Sequence, residues 1–153
     1  MSTSQAAQAD TKAGADVSLR VAAGALGGLV GGMVFGMMMQ LMNMIPNVAM
    51  LVGSGSIAVG WGVHLAVSVV LGIGFGIVAV RGLDSWGRGI GMGVGYGVIW
   101  WVLGFLLLMP AKLGMPVFAI NTIALESLMG HMIYGAVLGA VAVAIMRLRA
   151  RSA

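Results

Sequence analysis

Residues 64–72 read HLAVSVVLG and residues 131–139 read HMIYGAVLG; in each, a His is followed at the same distance by Val-Leu-Gly inside a long apolar run. Upstream of each lies a second apolar run that closes on a hydrophobic-Pro step, Met44-Ile45-Pro46 in the first copy and Leu108-Met109-Pro110 in the second. The chain reads as a tandem duplication. The two prolines stand 64 residues apart and the two histidines 67. That difference predicts an insertion in the connection between the paired runs, where extra length costs little, and an ungapped correspondence of the runs themselves.

Of the 153 residues, 60% are hydrophobic and 8% charged, with a mean hydropathy of +1.06. A water-soluble domain of this size has no core large enough to hide such a balance. The apolar residues fall into four runs, 21–44, 57–80, 89–109 and 123–146. Each suffices to cross a hydrocarbon core of about 30 Å at about 1.5 Å per residue. Lipid cannot satisfy free backbone groups, and the runs lack the alternation of a membrane barrel, so they must be helices. The expected fold is an all-α integral membrane four-helix bundle made of two tandem two-helix repeats, 21–80 and 89–146. Residues 81–88 form a cytoplasmic connection, and 147–153 a basic cytoplasmic tail.

Residues 1–20, MSTSQAAQADTKAGADVSLR, hold too few large apolar side chains to fold alone and are expected to form a disordered cytoplasmic tail. A cleaved signal peptide needs a basic start and a shorter apolar region, so the first run is expected to stay in the mature protein. Lys12, Arg20, Arg81, Arg88, Arg147, Arg149 and Arg151 fall on one side of the implied topology, and Lys112 alone on the other. By the positive-inside rule the protein lies in the cytoplasmic (inner) membrane with both termini in the cytoplasm. The net charge of +4 is therefore a topology signal. No basic stripe exists to carry nucleic acid, which leaves the lipid bilayer as partner, with room for a homo-oligomer or a larger membrane complex. Without cysteine there is no disulfide or thiolate chemistry.

Glycines recur at every fourth position. Gly24, Gly28, Gly32 and Gly36 line one face of the first run, and Pro46 is expected to end that helix. The second run carries His64, Ser68, Gly72 and Gly76 on one face; the third carries Gly89, Gly93 and Gly97, with Gly91 and Gly95 on the adjacent face. His131, Gly135 and Gly139 repeat the pattern in the fourth. Such stripes let helix backbones approach closely. A nucleotide-binding loop is excluded, since it needs a strand before it and an aqueous setting.

His64 and His131 lie eight and nine residues into their helices, about 12 and 13 Å deep. The two copies have the same orientation, so a pseudo-two-fold axis along the membrane normal should bring the rings together. Gln40, Asn43, Ser68 and Glu126 fall in the same outer part, and ionisable groups inside a membrane point to function. Three readings stay open. Each imidazole simply bonds a neighbouring helix through Gln40, Ser68, Tyr134 or a carbonyl. The pair ligates a metal or haem, with methionine sulfur in support. Or the histidines and Glu126 line a polar pathway for a substrate or proton. Glu126 is turned about 140° from His131 and reads as a solvated rim residue. No cofactor is required, haem and copper being the alternatives. Met33, Met37, Met38, Met39, Met42 and Met44 invite copper, but consecutive residues point in different directions, which favours apolar packing.

The strings VGWGVHLAVSVVLGIGFGIV, GYGVIWWVLGFLLLMP and LMGHMIYGAVLGAV resemble an uncharacterised family of small prokaryotic four-span membrane proteins, over roughly residues 22–146. The resemblance implies a fold and a membrane location. Some relatives are named histidine kinase, a label these residues do not support, because four spans leave no length for an aqueous ATP-binding domain. The chain is expected not to be an enzyme. The function expected is transport or small-ligand binding through the His-containing site, with a redox subunit or a structural role as alternatives.

Overall fold

The computed structural model describes residues 3–79 and 83–152, and every regular element among them is helical. In order these are α1 (Thr3–Leu41), a short α2 (Ile45–Met50), α3 (Ile57–Val78), α4 (Trp86–Trp100), a π-helix (Trp101–Leu108), α5 (Met109–Leu113) and α6 (Thr122–Arg151). The α4, π and α5 segments run on without a break. Four stretches, Asp16–Leu41, Ile57–Val78, Trp86–Leu113 and Thr122–Arg151, are long and apolar enough to cross a membrane. The chain is a multi-pass membrane protein built as an all-α four-helix bundle. Val80 and Arg81, which close the second run and join the basic distribution, lie outside the described residues.

α1 has 39 residues, about 58 Å at 1.5 Å each, roughly twice the hydrocarbon core. It runs back to Thr3 through the segment whose composition predicts a disordered tail. The physical reason is that Gln5, Ala6, Ala7, Gln8, Ala9 and Lys12 are good helix formers, and the adjoining span supplies the nucleus that an isolated segment would lack.

The helix ends beside Pro46 and Pro110 are both left-handed caps. α1 stops at Leu41, five residues before Pro46, and Asn43 takes φ 54°. The Asn43 N–H donates to Gln40 O (3.1 Å) and the Met44 N–H to Met39 O (2.8 Å), the paired bonds of a Schellman cap. Pro46 then opens α2, where its missing N–H costs nothing. In the second copy the helix continues through Pro110 and ends at Gly114, φ 68°. A helical proline strands the carbonyl four residues earlier, here Leu106. The π-helix widens the backbone at that point, and the Phe118 N–H donates to Leu106 O at 2.8 Å. Loop 114–121 is thereby tied to the carbonyl that Pro110 leaves free.

One glycine face of each helix is a helix contact, whereas Gly91 and Gly95, on the adjacent face of α4, meet nothing within 4 Å. A Cβ on Gly24 or Gly28 would collide with the carbonyl of Gly72 or Ser68, and one on Gly93 or Gly97 with that of Gly135 or His131. Gly36 receives the Trp61 ring. Gly24 packs on Gly72 and Gly89 on Gly139, so the two ladders are 65 residues apart whereas the prolines are 64 apart. The ungapped correspondence fails by one residue, and the extra residue of the first copy falls where α1 breaks around Asn43 and the second copy runs on as π-helix.

The helix contacts are unequal. α1 packs closely on both α3 and α6, and α4 packs on α6, but α3 and α4 barely approach each other. Gly27 and Gly31 explain the close side: a Cβ there would lie 2.8 and 2.9 Å from the carbonyls of Leu138 and Tyr134 on α6. Their counterparts at the 65-residue offset are Met92 and Tyr96. Tyr96 holds α3 off as a strut, its hydroxyl donating to Leu71 O (2.8 Å) and its ring lying 5.4 Å from that of Phe75.

Candidate functional site

His64 is buried on α3 against α1, where a Cβ on Gly36 would lie 3.1 Å from its Cδ2. Its Nε2 lies 2.9 Å from Gly32 O. A carbonyl only accepts, so Nε2 carries the proton and Nδ1 keeps its lone pair. His131 on α6 has the opposite arrangement. Its Nδ1 lies 2.8 Å from Ser127 O and 3.3 Å from Ser127 Oγ, so Nδ1 is protonated and Nε2 holds the lone pair.

The two rings meet through Phe35 rather than directly. Phe35 is buried on α1, with its ring centroid 5.5 Å from that of His64 and 4.8 Å from that of His131, both edge-on. Gly130 makes the space, since a Cβ there would run into the phenyl ring. Phe35 was not among the residues singled out from sequence; being the one phenylalanine of the first span was its only mark.

The other candidates divide. Gln40 belongs to the site: its Oε1 accepts from Trp61 Nε1–H (3.1 Å), and the Trp61 ring stands edge-on to His64 at 6.2 Å. Ser68 lies one turn below His64; its hydroxyl donates to His64 O (2.8 Å), and its carbonyl accepts from Tyr134 Oη–H (2.7 Å). Asn43 is exposed and serves as the left-handed cap of α1. Glu126 is half-buried and makes no hydrogen bond or ion pair among the described residues. Two residues that sequence reading passed over also matter. Ser127, at i−4 from His131, fixes that ring, and Trp101 ties the π-helix to α6 through Nε1–H to Ala124 O at 2.9 Å.

Each imidazole therefore keeps one unprotonated nitrogen while its N–H is held by a carbonyl, the pattern that also orients metal-ligating histidines. Among the described residues no group of three or more His, Asp or Glu stands close enough to hold an ion. No protein-family model, curated protein or solved structure matches the chain.

Proposed function

We propose that this is a non-enzymatic protein of the cytoplasmic membrane that passes a proton or another small cation through His64 and His131, and that it groups with the four-span proteins its repeats resemble. The supporting observation is the pair of fixed tautomers. Nδ1 of His64 and Nε2 of His131 each keep a lone pair, lie inside an apolar bundle, and share Phe35 as neighbour. A cation can bind either lone pair without breaking the bond that positions the ring. Polar groups continue inward through Ser68, Tyr134 and Tyr96, each hydroxyl on a helix carbonyl. A structural reading is favoured by one fact: the His64 bond to Gly32 joins α3 to α1 and would serve as a latch without any ligand.

Vesicles carrying the purified protein, an internal pH dye and an imposed potassium diffusion potential test this. Proton entry should exceed that of protein-free vesicles, fall to background in His64→Gln and His131→Gln, and change in Phe35→Ala. A wild-type rate at background, repeated with sodium and potassium fluxes, would discard conduction and leave the latch.

A further inference from the structure

The outer end of the bundle holds a cavity of about 140 Å³ in which the histidines take no part. Met44, Met109 and Met115 line it, with Asn47 and Asn121. These methionines come from two stretches of chain, one around the end of α1 and one around α5, and two arrive by the same local device. Met44 follows left-handed Asn43 and Met115 follows left-handed Gly114. Each backbone N–H then closes a 2.8 Å bond to a carbonyl five residues back, Met39 O and Pro110 O. The two helix caps thus each fix the backbone of a thioether residue at the cavity wall.

The chemistry of that wall is narrow. It holds no carboxylate, imidazole or other charged side chain, so a divalent or hard ion finds nothing to offset its charge or replace its water. Neutral, polarisable thioether sulfur suits soft monovalent ions. Met44 is 5% exposed and Met115 57%, which gives the site a closed inner ligand and a ligand at its mouth. We propose that this cavity binds a soft monovalent metal ion, Cu(I) or Ag(I), through the sulfurs of Met44, Met109 and Met115. The site does not depend on the histidine reading.

Ag(I) titrated calorimetrically into the full chain in detergent, with Cu(I) competed against a chromophoric Cu(I) chelator, reads this out. One equivalent per chain should bind. Met44→Leu with Met109→Leu conserves volume and folding and should weaken binding at least about tenfold, the least that loss of supporting shells costs a metal site. Met115→Leu, at an exposed position, keeps the test available if the buried pair disturbs folding, and should also weaken it. Met37→Leu, on the lipid-facing side of α1, and the His64→Gln/His131→Gln pair should leave affinity unchanged. Absence of Ag(I) binding, equal affinity in the Met44/Met109/Met115 triple leucine variant, or loss on removing the histidines instead would each overturn the assignment.

Discussion

Alanine at Gly93 and alanine at Gly91 put the same methyl group on two faces of the same helix. At Gly93 it overlaps the carbonyl oxygen of Gly135 and lies 3.2 Å from the amide nitrogen of Gly139; at Gly91 it meets nothing within 4 Å. Both changes raise helix propensity equally, by up to about 1 kcal/mol, so the difference between the variants isolates the contact. The obstacle is backbone, which cannot swing aside as a side chain would. α4 and α6 must therefore separate, also loosening Gly97 from the His131 carbonyl. Over-packing of this kind costs about 1–3 kcal/mol. Gly93→Ala should be less stable than Gly91→Ala by that amount in equilibrium unfolding with SDS in mixed micelles, followed by tryptophan fluorescence. Values agreeing within about 0.5 kcal/mol, the usual scatter of independent sites, would mean that the helices do not touch along this face.

Trp101→Phe should cost about 1 kcal/mol more than Trp100→Phe in the same assay, because the Trp101 N–H makes a 2.9 Å bond to Ala124 O on α6 whereas Trp100 makes no such bond to another helix's backbone. Equal losses would remove the tie between the π-helix and α6. Phe118 holds φ 54° and is 52% exposed, so Phe118→Gly should stabilise by about 1 kcal/mol, the lower end of the left-handed penalty; destabilisation would show that the ring packs. His64→Ala and His131→Ala should be non-additive by more than about 0.5 kcal/mol through their common Phe35 neighbour, and strict additivity would separate the rings into independent sites. For orientation, an impermeant thiol reagent should label Ser54→Cys from outside whole cells and miss Ser85→Cys; the reverse pattern would invert the topology.

The spans and their packing faces were legible because both depend on local periodicity. Gly24, Gly28 and Gly32 advertise a contact by spacing alone, whatever the partner turns out to be. Helix ends were less legible. Pro46 looks like a stop, yet a cap forms wherever a residue accepts positive φ, and Asn43 does so earlier. The inequality between the repeats was written in Gly27 and Gly31 against Met92 and Tyr96, but only a 65-residue register sets those positions side by side, and the prolines point to 64. Phe35 was out of reach for a different reason. Its meaning comes from Gly130 on another helix, and tertiary proximity leaves no trace in spacing along one chain.

The Tyr96 strut makes the two halves non-interchangeable. A chain made of two first halves would put Gly31 where Tyr96 stands, closing the α3–α4 side as tightly as its opposite and leaving Leu71 O without its phenolic donor. Two second halves would prop both sides apart and strip α6 of α1, one of its two close partners. If the protein is cut between α3 and α4 and the fragments are co-expressed, only the mixed pair can rebuild both kinds of interface. Either fragment alone should assemble into something of different shape.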